Sequence, residues 1–141
     1  MVRRGQQGRH ELRKAQREAS RQIESSQGQY DAKQMRRRCG PPRQWESPYD
    51  EANTVRLQFF LWRFNGRLAD FVINVQVLTS EGWETVEYFD CCHGHCHLHT
   101  QNGEVPRSFV RLDSIDDVQL AFAQVEGESH TRARIIRAEG P

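Results

Sequence analysis

Long apolar runs are missing from this sequence, since no window approaches the roughly 18 consecutive apolar residues of a membrane-spanning helix. The first ten residues are positively charged, but no apolar segment follows them, which argues against a secretory signal peptide. Hydrophobic residues make up 36% of the 141 residues, and the mean hydropathy is −0.84. Both values are low for a globular chain. We therefore expect a cytoplasmic protein with one domain and no membrane segment, in which part of the chain stays outside the core.

Cysteines are few, and their spacing is poor for a disulfide framework. Cys91, Cys92 and Cys96 lie close together, and the fourth cysteine is Cys39. Adjacent cysteines can pair only through a strained bridge. The sequence also lacks a Cys-x-x-Cys pair, a P-loop, a dinucleotide-binding fingerprint, a nucleophile elbow and an internal repeat. Thiols clustered beside histidines indicate a reducing compartment and either a ligand or a thiol role.

Positive charge is concentrated in the N-terminal third. Residues 1–45 carry 12 Lys or Arg against 4 Asp or Glu, a net charge of +8, whereas residues 46–141 carry 8 Arg against 15 acids, a net charge of −7. We therefore divide the chain into a basic N-terminal arm and linker at 1–52 and a domain at 53–141. The arm is expected either to bind nucleic acid or an acidic protein, or to fold back on the acidic domain.

The arm has weak helical patterning and is expected to be helical or disordered. Residues 9–26 repeat apolar side chains every three or four positions, but only two of them are large, so a helix there needs a partner to be stable. A second short helix is predicted over Asp31–Arg38. Cys39–Pro42 then stops regular structure, and Trp45–Asp50 is predicted to be a linker.

Two Asn-Gly pairs predict β-hairpins in the domain. Asn65-Gly66 and Asn102-Gly103 each separate two candidate strands, and Asn-Gly suits a type I′ turn because both turn positions need positive φ. The expected strands are 54–64, 67–79, 83–90, about 95–101 and about 104–111. The sequence therefore predicts an antiparallel sheet of about five strands. Its aromatic run at 59–64 is expected to fill the core rather than to form a platform for stacking bases.

One amphipathic helix is predicted after the strands. Ser114 is the expected N-cap, and Asp116 and Asp117 suit the first turn, where negative charge is favoured. Apolar residues at helical spacing continue to Gly127, which is expected to end the helix. Residues 131–137 are expected to form a final strand or a second helical piece. Strands followed by a helix give the α+β class.

Residues that can bind metal ions or protons are concentrated between Asp90 and His99, in the sequence Asp-Cys-Cys-His-Gly-His-Cys-His-Leu-His. Its four histidines have the same parity, so on a regular strand they lie on one face. They are His93, His95, His97 and His99. Three alternatives stay open: a metal site, a pair of acid–base catalysts, and a solvated polar face without chemistry.

A zinc site is the first alternative. Imidazoles two positions apart on a strand can converge on one ion, and the four histidines are the predicted ligands. A further ligand is expected from Asp90, Cys91 or a neighbouring strand. Cys92 and Cys96 have the other parity if the strand is regular, so they are not expected to join the same ion unless Gly94 breaks that regularity.

Acid–base chemistry without a metal is the second alternative. Imidazoles with pKa values near 6.5 can act as general base and general acid in RNA cleavage, one taking the 2′-hydroxyl proton and another protonating the leaving oxygen. Asp90 would orient one of the histidines. Arg107 or Arg111, on the facing strand, would stabilise the charge that develops on the phosphate.

The cluster and the residues after it resemble the core of small bacterial proteins with the pattern R-[YF]-D-x-x-H-G-x-x-H-x-H…E. The matching segments are Glu87-Tyr-Phe-Asp90, His93-Gly94, His97-x-His99 and Asn102-Gly-Glu104, followed by Phe109, Ser114-Ile-Asp-Asp117 and Phe122. Some of these proteins are grouped as TumE-type toxins of toxin–antitoxin modules, and others form related families of unknown function. The resemblance covers about residues 54–126 and leaves the arm without a counterpart.

This resemblance implies a toxin-like function with RNA as a candidate target, and it singles out Asp90, His93, His97 and His99. The family's basic residue before the aspartate is replaced here by Glu87, so an anion-binding arginine would have to come from elsewhere. Our leading hypothesis is a toxin-like protein with ribonuclease-like activity, whose arm binds RNA or an acidic antitoxin. The alternatives are a non-enzymatic, metal-stabilised or partner-binding module and a DNA-binding regulator that uses the arm.

Overall fold

The computed structural model describes residues 13–14, 28–101 and 107–139, and they form an α+β fold. Six strands make one antiparallel sheet whose strand order follows the sequence. The strands are β1 (Arg43–Pro48), β2 (Val55–Phe64), β3 (Arg67–Thr79), β4 (Gly82–Cys92), β5 (His95–His99) and β6 (Arg107–Arg111). The helices are α1 (Ala32–Arg36) and α2 (Asp116–Glu139). The predicted class is confirmed, with one strand more than expected.

Within the described residues, no helix is both long enough and apolar enough to cross a membrane.

The additional strand, β1, lies in the segment that was predicted to be a linker. It pairs with β2, and Trp45 stacks on Phe59 with ring centroids 4.8 Å apart. Its sequence, Arg-Gln-Trp-Glu-Ser-Pro, contains one large apolar side chain and a proline, which is tolerated on an edge strand and hides the strand pattern. The prediction of a linker at Trp45–Asp50 is therefore wrong, and the described fold begins before the expected domain start at residue 53.

Helix α1 agrees with the short helix predicted over residues 31–38. The carboxylate of Asp31 caps it by accepting a hydrogen bond from the Gln34 backbone N–H at 3.1 Å. The longer helix predicted over residues 9–26 lies outside the described residues, except for residues 13 and 14.

The first predicted hairpin is confirmed. Asn65 and Gly66 join β2 to β3 with φ angles of 50° and 79°, as a type I′ turn requires. The second predicted turn, Asn102-Gly103, lies outside the described residues. The strands that it was expected to join, β5 and β6, do pair antiparallel.

The start of α2 is fixed by a side chain that reaches back. The carboxylate of Asp117 accepts hydrogen bonds from the backbone N–H groups of Asp113 and Ser114, at 2.8 and 3.1 Å. This is the reciprocal half of a capping box, with Ser114 at the predicted cap position.

The end of α2 differs from the prediction. The helix continues through Gly127 to Glu139, so the expected stop at Gly127 and the separate element at 131–137 are both wrong. Buried residues lie on both sides of the glycine, including Val125 and Ser129. Packing against the sheet therefore outweighs the cost of glycine in a helix, which is about 1 kcal/mol.

One face of the sheet, which we call the helix face, is covered by α2. Phe122 contacts Phe59 and Phe71 edge to face, with ring centroids 6.3 and 5.3 Å apart. Buried Glu87 lies on this face and accepts hydrogen bonds from Arg132 at 2.6 and 2.7 Å. The bidentate arginine compensates for burial of the carboxylate.

The other face, which we call the open face, carries mostly half-exposed aromatic, amide and charged side chains. They include Arg56, Gln58, Phe60, Trp62, Asn74, Tyr88, Asp90, Cys92 and His99. Helix α1 lies over one end of this face. Its Arg36 guanidinium is 3.8 Å from the centroid of the Trp62 ring and donates a hydrogen bond to buried Asp70 at 2.6 Å.

Asp70 should make stability depend on pH. Burial raises the pKa of this carboxyl from 3.8 to about 6, even though Arg36 lies beside it. The carboxyl of Asp70 therefore stays protonated to a higher pH in the folded state than in the unfolded state. Its contribution to the free energy of unfolding is lost as pH rises through about 6. We expect the free energy of unfolding of the wild type, measured by equilibrium denaturation relative to Asp70→Asn, to fall by about 3 kcal/mol between roughly pH 4 and pH 7. A difference in the free energy of unfolding between the wild type and Asp70→Asn that does not change with pH would contradict the raised pKa of Asp70.

Candidate metal centre on the open face

The histidine-rich segment folds into a tight hairpin between β4 and β5. His93 and Gly94 form its two-residue turn, with φ angles of 50° and 74°. His93 is therefore an exposed turn residue, and the prediction that it shares a strand face with the other three histidines is wrong. A His-Gly pair is a weaker turn signal than Asn-Gly, which explains why the sequence did not reveal it.

Reversal of the chain at this turn decides which side chains meet on the open face. Residues opposite each other on paired strands project from the same face. The opposed pairs are Tyr88–His99, Asp90–His97 and Cys92–His95. The prediction that Cys92 cannot join the histidines assumed one regular strand, and the turn makes it wrong.

Asp90, Cys92 and His99 form the candidate group of metal ligands found among the described residues. One ligand atom from each lies within 4.8 Å of the other two, and all three residues are half-buried. Nε2 of His99 is 2.8 Å from a carboxylate oxygen of Asp90, and the Cys92 thiol donates to the same oxygen at 3.8 Å. A carboxylate, a thiolate and an imidazole are all ligand types that zinc accepts.

The ring of His99 is held on two sides. It stacks on Tyr88 with centroids 4.3 Å apart and planes 9° from parallel, and its Nε2–H donates to Asp90. His99 is thus the histidine that contacts Asp90, and the orienting role of Asp90 stays a prediction. Because Nε2 carries the hydrogen, the lone pair of His99 is on Nδ1.

His95 and His97 are buried beside this group rather than part of it. Nδ1 of His95 is 3.0 Å from Nε2 of His97, which also lies 3.1 Å from the carbonyl oxygen of Cys92. Since a carbonyl can only accept, the hydrogen of His97 is on Nε2, and its buried Nδ1 has no hydrogen-bond partner among the described residues. Burial and the adjacent His95 lower the pKa of His97, which favours the neutral form. His97 is only 5% exposed, so it is separated from solvent, unlike His99.

Cys91 was a predicted ligand, but it projects from the helix face. Its Sγ lies 3.3 Å from Sγ of Cys96, and both residues are fully buried free cysteines. Contact with Cys96 and burial raise the pKa of the Cys91 thiol, which therefore stays protonated. The structure thus does not place Cys91 with Asp90 and His99, and the expectation that it completes their site is not met.

Cys92 differs from that pair because it reaches the open face. Burial and the carboxylate of Asp90 raise the pKa of the Cys92 thiol to about 11. The metal-free thiol is therefore neutral at pH 7, and a metal ion would have to displace its proton.

Arg111, one of the two arginines predicted to stabilise a phosphate, pairs with a neighbouring carboxylate instead of entering this group. Nε of Arg111 donates to both carboxylate oxygens of Asp113 at 3.1 Å, which neutralises its charge locally. Arg107 lies in β6 opposite Leu98. A role for either residue in binding an anion stays a prediction.

Residues 28–37, which the sequence placed in the arm, pack against the hairpin turn instead. The Gly94 carbonyl accepts hydrogen bonds from the N–H groups of Gly28 and Leu112, at 3.1 and 2.7 Å. The hydroxyl of buried Tyr30 donates to the carbonyl of Ala69 at 2.5 Å. A lone tyrosine in a polar stretch was the available sequence signal for this contact.

No family model, curated protein or solved structure matches this chain. The resemblance to TumE-type toxins therefore stays a prediction from sequence pattern.

Gly94 lets the hairpin turn pack closely against residues 28–37, which we call the N-terminal segment. A Cβ at Gly94 would overlap the backbone of Gly28, whereas a Cβ at Gly66, whose φ is a similar 79°, would meet open space. Alanine at either position introduces the strain of positive φ, about 1–2 kcal/mol, but only Gly94→Ala adds the overlap. We expect urea denaturation to show that Gly94→Ala lowers the free energy of unfolding by about 2 kcal/mol more than Gly66→Ala does. Equal losses would show that the segment at Gly28 does not pack on this turn.

Proposed function

We propose that this protein binds zinc through Asp90, Cys92 and His99 on the open face. The observation that carries the proposal is the convergence of a carboxylate, a thiol and an imidazole within 4.8 Å. A thiolate and an imidazole favour zinc over magnesium or calcium, which prefer oxygen ligands.

Three protein ligands are typical of a catalytic rather than a structural zinc centre, because structural centres usually have four. The ligands are half-buried, so water or a substrate can approach from the solvent side. Bound zinc would make water a nucleophile near neutral pH. Asp90, Cys92 and His99 would contribute by holding the ion at the surface of a rigid sheet.

Zinc binding can be tested on untagged protein by competition with a chromophoric chelator. Cys92→Ala should lose more affinity than the 10–100-fold typical of an outer-shell substitution, because it removes a ligand. Cobalt-loaded protein should lose its thiolate charge-transfer band in the same variant. His130→Ala, which changes an exposed histidine on α2, is the matched control and should bind zinc like the wild type. Wild-type protein that binds under about 0.1 zinc per chain would remove the proposal.

Our second proposal is a ribonuclease-like, toxin-like protein that acts without a metal. It is supported by the 2.8 Å hydrogen bond between Asp90 and His99 and by the sequence resemblance. Nδ1 of His99 would take the proton of an RNA 2′-hydroxyl, the 2′-oxygen would attack phosphorus, and the 5′-oxygen would leave with a proton from solvent. The products would be a 2′,3′-cyclic phosphate and a 5′-hydroxyl.

Expression in bacteria separates the two proposals, because Cys92 is needed only for the metal. If cleavage is metal-free, wild type and Cys92→Ala should both slow growth and yield RNA with cyclic phosphate ends, while His99→Ala should do neither. Activity that is lost in both variants would indicate that cleavage depends on zinc. Normal growth with intact RNA in the wild type would contradict the toxin proposal.

The basic arm is the proposed binding segment for a partner. Residues 1–45 carry a net charge of +8, which suits RNA or an acidic antitoxin protein in the cytoplasm.

A further inference from the structure

A cleft of about 550 Å³ lies beside the candidate metal centre, between the N-terminal segment and the β4–β5 turn. Its lining includes Gly28, Tyr30, Lys33, Arg37, Cys92 and His93. This volume falls within the usual range of ligand-binding pockets, about 300–1,000 Å³. Cys92 belongs both to this lining and to the group of candidate zinc ligands.

The cleft has two exposed cationic side chains on one wall. Lys33 and Arg37 are four positions apart on α1 and its C-cap, so they lie on the same side of the helix. Arg36, between them, points elsewhere and pairs with Asp70 at 2.6 Å. The acidic residue in the lining, Asp31, is engaged as the helix cap through the Gln34 N–H at 3.1 Å.

We propose that this cleft binds the phosphate group of a phosphate ester, with Lys33 and Arg37 as its ligands and an RNA strand as the source of the phosphate. The inference rests on the proposed function and deepens it, since it names the residues that would hold the phosphate of the RNA substrate beside Asp90, Cys92 and His99. It also supplies the cations that the sequence analysis expected from Arg107 or Arg111.

The two side chains suit this role in different ways. Arginine can donate two parallel hydrogen bonds to phosphate oxygens, and lysine provides a compact charge. A phosphate held between them lies next to Cys92, at the edge of the candidate centre.

Binding should be measured on metal-free protein, so that it does not depend on zinc or on cleavage. In NMR titrations with inorganic phosphate, we expect amide shifts at residues 28–37 and 92–94 that disappear in Lys33→Ala/Arg37→Ala. For a single-stranded hexauridylate with non-cleavable 2′-O-methyl groups, we expect the same variant to lose about tenfold in affinity. The slope of log affinity against log salt should fall by about 0.7, the value for one lost phosphate contact on a single strand.

Two further variants control for fold and for net charge. Arg63→Ala/Arg134→Ala removes the same charge from exposed positions outside the cleft and should change the affinity less than twofold. Lys33→Arg/Arg37→Lys keeps both charges and should retain binding, which a merely structural role of these residues does not require.

Failure of this inference differs from failure of the proposed function. If Lys33→Ala/Arg37→Ala binds phosphate and hexauridylate like the wild type, the cleft assignment is overturned, whatever the zinc content. If phosphate shifts vanish but hexauridylate affinity does not fall, the phosphate subsite stands and RNA is rejected as its source. Loss of zinc binding in Cys92→Ala with unchanged phosphate binding would separate the subsite from the metal.

Discussion

The two-residue turn at His93-Gly94 is the constraint on which the candidate site depends. Both residues take positive φ, so β4 and β5 meet in one register that places Asp90, Cys92 and His99 on the open face. In a β-strand, a slip of one residue exchanges the two faces. The opposite face is fixed independently, because Phe89 and its partner Leu98 are fully buried against the helix side. Core packing and turn geometry therefore specify the same register, and the ligand group follows from both.

Part of the charge difference between the basic N-terminal third and the acidic remainder of the chain is compensated by ion pairs within the described fold. Arg36, from the basic segment, pairs with Asp70 of the acidic part, and Arg137 pairs with Asp50 at 3.2 Å. The contact between Arg36 and Asp70 agrees with the alternative in which part of the arm folds back on the domain, whereas Arg137 and Asp50 both belong to the acidic part. Lys33 and Arg37 differ, because they are exposed at the cleft rather than paired in the core. Attachment of this segment to the Gly94 carbonyl thus places two cationic side chains beside the β4–β5 turn.

The sequence predicted the fold where one local signal was strong. Asn65-Gly66 specified its turn because both residues tolerate positive φ, and the flanking strands alternate apolar residues clearly. Edge strand β1 and the helix beyond Gly127 were missed because tertiary packing, not local propensity, stabilises them. Asp90 and His99 were predicted as site residues from the clustered histidine motif and from the family resemblance, and the structure places them in contact. The prediction was wrong about the sheet face on which Cys92 lies. Counting along one regular strand placed Cys92 away from the histidines, whereas the turn at His93-Gly94 brings it beside Asp90.

Under the proposed function, Asp90, Cys92 and His99 would have two chemically distinct states, one without zinc and one with it. Without metal, Asp90 accepts hydrogen bonds from His99 and from the protonated Cys92, which satisfies the group internally. Nε2 of His99 cannot keep its hydrogen bond to Asp90 and also bind an ion through its lone pair. Zinc bound at Nε2 must therefore displace two protons, one from the imidazole nitrogen and one from the thiol, while the imidazole takes up a proton at Nδ1. Under the proposed function, His99 would therefore serve as a ligand through Nε2 when zinc is bound and would offer the lone pair of Nδ1 when it is not.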